Sequence, residues 1–374
     1  MSATPPITTS AELLDALHRL DRADFVALDT EFMRESTYFP KLCLIQAATA
    51  EACAVLDPLA LPELEPLWQF LGRRERTKVL HAARQDLEVL ATATRGLPLP
   101  GPIFDTQIAA ALLGYPAQIG YGSLVEERLG HTLAKGHTRT DWTRRPLSPE
   151  QLQYAEDDVR YLVPLYLDLL AALQAAQRLD WLYEETRELE RLDLHRTDPD
   201  AAWRRLKGLE RLHPQQRATA KLLAQWREAA AIKHDKPRGW ILADDALREI
   251  AERLPASIAD LESIRSLPPG VVRRRGDELM ALIARGRGDA ANEAAASTPP
   301  RPQPQQLALV SKLMNVARET AQHAKINAEL LATRRDVEQL VFAQRTEHLL
   351  SGWRREIIGE PLLAAARESG LDLP

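Results

Sequence analysis

Every strand-like segment of this sequence lies in its first half, and this distribution is the feature that most constrains the fold. Three short apolar runs, at 25–28, 42–45 and 53–56, follow one another with few residues between them. Alternating strand-like and helix-like segments then continue to about residue 113. This order predicts a strand meander followed by βα units, and therefore a mixed sheet covered by helices.

The remainder of the chain has a different pattern. From residue 203 onward, apolar residues recur at helical spacing, and Pro and Gly separate the segments, so we expect helices and no strand. The pattern predicts an α/β domain over 1–196 and two small all-α domains over 208–290 and 307–374. A stretch rich in Ala and Pro, 291–306, is expected to link the two helical domains.

Composition limits the class of protein. The 374 residues are 45% hydrophobic and 27% charged, which is typical of a soluble protein with two or three domains. The N-terminus lacks the pattern of a signal peptide, and no run approaches the ~18 apolar residues of a membrane span. Cys43 and Cys53 form no Cys-x-x-Cys pair. We therefore expect a cytoplasmic protein without a membrane partner.

Two acids follow the first apolar run directly. Asp29 and Glu31 are spaced i, i+2, which on a strand puts both carboxylates on one face. Like charges at the end of a buried strand are unfavourable unless a cation lies between them, and a divalent metal would serve. The alternative is that the strand ends at Leu28 and that both acids are solvated loop residues.

Two further segments carry candidate acids. Asp86 lies at a strand–helix junction, where the helix dipole alone could account for it. Tyr154 and Asp158 are spaced i, i+4 and share one helix face, so a phenol and a carboxylate could point at one water or metal. Asp157 is the rival ligand, and a solvated acidic patch is the alternative for the whole segment.

Taken in order, these pieces resemble the three exonuclease motifs of the DEDD superfamily, in the subclass with Tyr in the last motif. The segments Leu133-Ala-Lys-Gly, Asp141-Trp142, Arg145-Pro-Leu-Ser and Gln151-Leu-Gln-Tyr-Ala look specifically like ribonuclease D. Ile241-Leu-Ala-Asp244 and the apolar positions after it resemble an HRDC domain, and the segment around Gly352-Trp353 resembles a second, divergent one. The resemblance implies a ribonuclease H-like sheet followed by two HRDC-type domains.

The resemblance also implies a chemistry. The family hydrolyses nucleic acid from the 3′ end with two divalent ions, Mg²⁺ or Mn²⁺, and releases nucleoside 5′-monophosphates. Asp29, Glu31 and Asp158 would hold one metal, Asp29 would bridge to a second that Asp86 supports, and Tyr154 would orient or help deprotonate the attacking water. The expected substrates are RNAs with a free 3′ end, such as tRNA precursors, and the expected state is a monomer. No P-loop is present, so ATP is not expected.

Basic residues provide candidate phosphate contacts. Net charge is −5, so any affinity for RNA must come from local clusters. One cluster precedes the last motif, and a second lies in the first helical domain; for each, a solvated charged surface is the alternative. The candidates are Lys135, Arg139, Arg144 and Arg145, then Arg273, Arg274 and Arg275, with Arg285 and Arg287 nearby.

Three other functions compete with an exoribonuclease. A DNA 3′→5′ exonuclease would use the same carboxylates, because both nucleic acids present phosphate. A non-catalytic RNA-binding protein on a decayed nuclease scaffold is a second alternative, although all four carboxylates and Tyr154 are present. A helical scaffold protein with an ordinary α/β domain is a third, and the acids on the buried strand argue against it.

Overall fold

The computed structural model describes residues 5–97, 99–133, 140–191, 198–289, 302–343, 345 and 347–370. Contacts divide the chain into two compact units. The first contains residues 1–33, 42–194 and 301–374; the second contains 34–41 and 195–300. The loop 34–41, between two strands of the sheet, therefore belongs with the helical unit.

A five-stranded sheet forms the centre of the first unit, in the order β3-β2-β1-β4-β5. β1 and β4 are parallel, with Phe25 opposite Thr77, as are β4 and β5, whereas β2 and β3 are antiparallel. This confirms the predicted mixed sheet. The strands are β1 Phe25–Met33, β2 Lys41–Ala48, β3 Cys53–Leu56, β4 Thr77–Leu80 and β5 Ile103–Asp105.

Eight α-helices accompany this sheet within the described part of residues 5–191. α1 begins with the capping box of Thr9 and Glu12, and α6 with that of Ser148 and Gln151, so side chains satisfy backbone N–H groups at both starts. The helices are α1 Ser10–Leu20, α2 Glu65–Leu71, α3 Arg84–Ala93, α4 Thr106–Leu112, α5 Tyr121–Leu129, α6 Pro149–Arg160, α7 Leu162–Ala175 and α8 Leu179–Thr186.

The two faces of the sheet bury different cores. Val26 and Leu28 point into a cluster with side chains of α1, α2 and α3. Ala27 and Val79 point the other way, into a cluster with side chains of α4, α5 and α7. Side chains alternate along a strand, so Asp29 and Glu31 lie on the same face of β1 as Ala27.

In its described residues, 34–41 and 198–289, the second unit contains five α-helices packed around a shared core. Leu223, Leu247, Ile264 and Leu279 are among its buried residues, which confirms the predicted helical region. Short 3₁₀ helices at Pro199–Arg205 and Leu209–Arg211 precede it. The α-helices are α9 Pro214–His234, α10 Arg238–Ile241, α11 Asp244–Arg253, α12 Ile258–Glu262 and α13 Pro269–Gly288.

The last helices belong to the first unit. Trp353 is 2% exposed and shares a continuous apolar core with the face of the sheet that carries Ala27. Much of the expected linker lies outside the described residues, and its last three positions are already helical. The elements are α14 Pro304–Ala324, α15 Ala328–Leu331, α16 Arg334–Ala343, α17 Gly352–Arg354, a π-helix Arg355–Gly359 and α18 Glu360–Arg367.

Among the described helices, no single one is both long and apolar enough to cross a bilayer. The segments Pro149–Ala175 and Leu179–Glu190 meet the length and composition only as a pair bent by 117°.

Candidate active site

The acids of β1 lie within the strand. β1 continues to Met33, so Asp29 and Glu31 are strand residues, and the alternative that the strand ends at Leu28 does not hold. Thr30, between them, points to the opposite face and is 6% exposed. The local sequence therefore presents two carboxylates side by side from a rigid element.

Helix α6 completes a cluster of three carboxylates. One carboxylate oxygen from each of Asp29, Glu31 and Asp158 lies within 4.8 Å of the others. Asp86, in the first turn of α3, is 8% exposed and accepts a hydrogen bond of 2.6 Å from the Thr30 hydroxyl. The structure thus brings together acids that are far apart in the chain, from one strand and two helices.

Burial raises the pKa of all four acids, and repulsion from other acids of the cluster adds to it for Asp29, Glu31 and Asp158. Burial raises the pKa of Asp29 well above its usual range, and the charges of Asp86, Asp158 and Glu31 raise it further. Burial is also the main cause for the others, giving a pKa of about 8 for Glu31, about 7 for Asp158 and about 6 for Asp86. The four carboxyl groups can all be ionised at once only if a positive charge lies near them.

The donor set suits a hard divalent cation. All the candidate ligands are carboxylate oxygens, with no His or Cys among them, and such oxygen-only sites favour Mg²⁺ or Mn²⁺ over zinc or copper. A cation at this cluster would favour the ionised carboxylates and so oppose the burial and repulsion that raise their pKa values. The residues present therefore fit the metal that the resemblance implies.

Tyr154 lies one helical turn before Asp158. The two side chains are hydrogen-bonded, and burial, followed by the negative charge of Asp158, raises the pKa of the Tyr154 phenol far above its usual range. Its ring packs beside Trp142, with centroids 6.1 Å apart. The phenol is thus held protonated next to the acid cluster.

Asp157 is directed elsewhere. Its carboxylate accepts a hydrogen bond of 2.9 Å from the Gln153 amide and lies 3.8 Å from Arg160. It does not belong to the group of three acids that Asp158 joins. The geometry therefore favours Asp158 over Asp157 as the ligand on α6.

Two residues near the cluster were not among our sequence candidates. Thr30 orients Asp86, as described above. Tyr121, at the start of α5, donates a hydrogen bond of 3.1 Å to the backbone carbonyl of Asp157, the residue before Asp158. His81 packs beside the Tyr121 ring, and its two nitrogens contact the Thr106 hydroxyl at 2.9 Å and the Ile119 carbonyl at 3.1 Å. No spacing rule would have found Tyr121, since only the fold places α5 beside α6.

The basic residues before the last motif differ in their surroundings. Lys135 and Arg139 lie outside the described residues. Arg144 is exposed and pairs with Asp141 at 3.2 Å. The Arg145 guanidinium binds Asp57 at 2.5 and 2.7 Å and donates to the carbonyl of Cys43, so it holds the loop onto the sheet. This bonding argues against the expectation that Arg145 contacts phosphate.

The second basic cluster lies on α13 in the second unit. Arg273 and Arg274 are exposed. Arg275 is partly buried, bonds Glu278 at 3.1 Å and contacts His234 at 3.2 Å. Arg273 and Arg274 are therefore better phosphate candidates than Arg275, whose charge is partly neutralised by Glu278.

Comparison with known proteins agrees with these features. Residues 5–174 match the family model of the 3′-5′ exonuclease, and residues 216–283 match that of the HRDC domain. Ribonuclease D of Nitrobacter hamburgensis is 38% identical over 361 residues, covering 96% of this chain and 94% of the relative. Ribonuclease D of Cronobacter turicensis is 35% identical, with 95% and 98% covered.

This chain belongs to the ribonuclease D family. The crystal structure of Escherichia coli RNase D superimposes with a TM-score of 0.85 at 32% identity, covering 98% of this chain and 99% of the other. The protein is thus a hydrolytic 3′→5′ exoribonuclease, and both the family and the activity predicted from the motifs are confirmed. Divalent metal use is a property of this exonuclease family. A protein from Bifidobacterium adolescentis shares the fold, with a TM-score of 0.70 at 23% identity.

Proposed function

We propose that this ribonuclease D removes nucleoside 5′-monophosphates from RNA 3′ ends with two divalent ions, Mg²⁺ or Mn²⁺, held at the acid cluster. The observation that carries the proposal is the approach of Asp29, Glu31 and Asp158 to within 4.8 Å, with Asp86 tied to the same strand through Thr30. When bound, such ions activate water and stabilise the charge that develops on the phosphoryl group and the leaving 3′ oxygen.

The four acids would divide the ligand roles. Asp29, Glu31 and Asp158 would hold one ion, because their oxygens already converge. Asp29 is flanked by the charge of Asp86 as well as those of Glu31 and Asp158, so it is suited to bridge to the second ion, which Asp86 would support. Thr30 would keep the Asp86 carboxylate oriented through its hydrogen bond.

Tyr154 would act on the attacking water. Its phenol is held protonated and donates its single O–H to the Asp158 carboxylate, so the phenol oxygen would orient the water by accepting a hydrogen bond from it. The bond between Tyr154 and Asp158 would keep the hydroxyl beside the ligand oxygens.

The natural substrates would be structured RNAs, including tRNA precursors. Escherichia coli RNase D, a structural relative over nearly its whole length, is described as an exoribonuclease involved in structured RNA processing. Arg144, Arg273 and Arg274 would contact phosphates, since their side chains are exposed. We further propose that the enzyme works as a monomer in the cytoplasm.

Nucleotide release tests this function. RNA and DNA oligomers with single-stranded 3′ tails would be incubated with the protein and either Mg²⁺, Mn²⁺ or a chelator, and the products separated by chromatography. We expect metal-dependent release of ribonucleoside 5′-monophosphates. Preferential hydrolysis of DNA would assign a DNA exonuclease instead, and retention of RNA without hydrolysis would leave a binding protein.

A further inference from the structure

The turn that follows α9 presents aromatic and cationic groups to solvent. Trp240, in α10, is 63% exposed, although a tryptophan of a globular protein is usually largely buried. The Lys236 ammonium lies 5.8 Å from the centroid of its ring. Lys233, at the end of α9, and Arg238 are also exposed, and Arg238 lies 3.7 Å from Glu228.

A second exposed aromatic ring is fixed beside this turn. Phe39, from the loop 34–41, is 39% exposed. The Asp235 carboxylate accepts hydrogen bonds from the backbone N–H groups of Tyr38 at 2.9 Å and Phe39 at 3.0 Å. Because Asp235 directly precedes Lys236, these two bonds hold the backbone of Phe39 next to the cationic turn.

Tyr38 anchors the loop 34–41 to α9. It is 7% exposed, and its hydroxyl donates a hydrogen bond of 2.5 Å to the buried carboxylate of Glu228 on α9. Its ring also meets that of Phe39 edge to face, with centroids 5.0 Å apart. The exposed ring of Phe39 therefore packs against an ordered side chain, and it would lose little conformational entropy on binding a ligand.

Charge distinguishes the class of ligand. Glu228 is 1% exposed and bonded to Tyr38, whereas Asp235 and Glu35 are exposed, as are Asp244 and Asp245 at the start of α11. The charged group that lies against the Trp240 ring is a cation, Lys236. A cation beside an exposed aromatic ring suits a ligand that combines flat bases with an anionic backbone better than an apolar peptide.

We propose that Phe39, Lys236 and Trp240 form a stacking platform for single-stranded RNA, an inference that rests on the proposed function. Unpaired bases would stack on the two rings, and Lys236 would contact the backbone phosphate beside them. Double-stranded RNA cannot use such rings, since its bases are already stacked. The platform therefore recognises the unpaired tail of a structured RNA.

Binding under non-cleaving conditions tests the platform. Fluorescence anisotropy in a chelator would give Kd for a 5′-labelled hairpin with a single-stranded 3′ tail and for the same hairpin with a blunt end. Trp240→Ala and Phe39→Ala should each weaken binding of the tailed hairpin about tenfold. Trp240→Phe should retain most of the affinity. Phe342→Ala, which removes an aromatic ring 36% exposed on α16, is the matched control and should leave Kd unchanged.

Two further readouts identify the ligand. Lys236→Gln should reduce the slope of log Kd against log salt by about one, as expected for loss of one phosphate contact. Blunt hairpin binding should be unaffected by Trp240→Ala. An equal loss on blunt and tailed hairpins would overturn the platform, as would unchanged affinity of Trp240→Ala for the tailed hairpin, which would reassign this surface to a protein partner.

A cleavage assay separates the platform from the proposed function. Hydrolysis of a dinucleotide with Mg²⁺ should be the same in wild type and in Trp240→Ala, because so short a substrate needs only the acid cluster. Loss of this hydrolysis in Trp240→Ala would contradict the platform, since it would place the effect at the active site. Absence of hydrolysis in the wild type would instead refute the proposed function.

Discussion

At the scale of single residues, two adjacent acids on α6 have different surroundings. The Asp158 carboxylate lies close to those of Asp29 and Glu31, whereas the Asp157 carboxylate accepts a hydrogen bond from the Gln153 amide. We expect Asp158→Asn to lower kcat on the order of a thousandfold, because it removes one ligand charge without changing shape. Asp157→Asn should change kcat only a few-fold. Steady-state release of nucleotides measures both; an inactive Asp157→Asn beside an active Asp158→Asn would reverse the assignment.

Tyr121 positions Asp158 through the backbone, and the variant Tyr121→Phe tests this role. Its hydroxyl fixes the carbonyl of Asp157 and therefore the turn that carries Asp158. Tyr121→Phe removes this bond and should destabilise the fold by only about 1 kcal/mol. We expect the Mn²⁺ concentration for half-maximal activity to rise several-fold, with kcat at saturating metal nearly restored. A fall in kcat that excess metal does not correct would show that Tyr121 acts by another route.

Spacing in the sequence predicted which candidate residues share a face, but not which side chains they pair with. The shared face of Asp29 and Glu31 followed from strand alternation, and that of Tyr154 and Asp158 from one helical turn, because both depend on local geometry alone. The ion pair between Arg145 and Asp57 could not be predicted in this way, since the two residues lie on different parts of the chain. Contacts of this kind depend on the tertiary fold.

At the scale of secondary-structure elements, a buried ion pair joins α8 to α17. The Arg354 guanidinium bonds both carboxylate oxygens of Glu185, and their side chains are 7% and 14% exposed. Glu185→Ala leaves a buried cation without this partner and should lower the free energy of unfolding by about 3 kcal/mol. Glu188→Ala, an exposed acid in the following turn, should have little effect. Urea denaturation measures both, and equal midpoints would show that the pair contributes nothing.

The sequence predicted whether a segment is a helix or a strand better than it predicted the residues at which the element begins and ends. The apolar pattern is continuous from 149 to 178, yet α6 ends at Arg160 and α7 begins at Leu162, so periodicity alone does not show the break. The expected linker ended at 306, whereas α14 begins at Pro304, a residue favoured at the first position of a helix.

At the scale of the whole molecule, the four raised pKa values predict how stability varies with pH. Without metal, the native state holds protons on Glu31, Asp86 and Asp158 that the unfolded chain has already released, since their pKa values are about 8, 6 and 7. Stability should therefore fall as pH rises from about 4 to about 8.

Calorimetry in a chelator and in Mg²⁺ measures this effect. The midpoint of unfolding should decrease with pH in the chelator, and Mg²⁺ should raise it more at pH 8 than at pH 5, because ionised carboxylates bind the cation. Asp158→Asn should flatten the pH dependence. A midpoint that rises with pH in the chelator would contradict the account of four crowded carboxyls.

The division of the chain into domains is the feature that the sequence predicts least well. The sequence suggests two detachable helical domains, and the first of them does have its own core. The helices after residue 304 instead share the core of the sheet, where Trp353 stacks on Trp181 with centroids 5.0 Å apart. Helical periodicity shows which face of a helix is apolar, but not which surface covers it.

This shared core makes a truncation informative. Removing residues 304–374 would expose the apolar face that Trp353 and Ile358 cover. We expect the truncated protein to aggregate or to unfold at a much lower temperature, rather than to lose only its affinity for RNA. Light scattering and thermal denaturation test this, and a truncated protein as stable as the full chain would show that the last helices are an independent module.

The measurement that tests the central claim most directly is hydrolysis of a 5′-labelled RNA with a single-stranded 3′ tail by the wild type and by Asp29→Asn. With Mg²⁺ or Mn²⁺, we expect the wild type to produce a ladder that shortens from the 3′ end, and a chelator to abolish it. Asp29→Asn should bind the same RNA and leave it intact. Metal-dependent shortening by Asp29→Asn at the wild-type rate would contradict the assignment of the acid cluster as the active site.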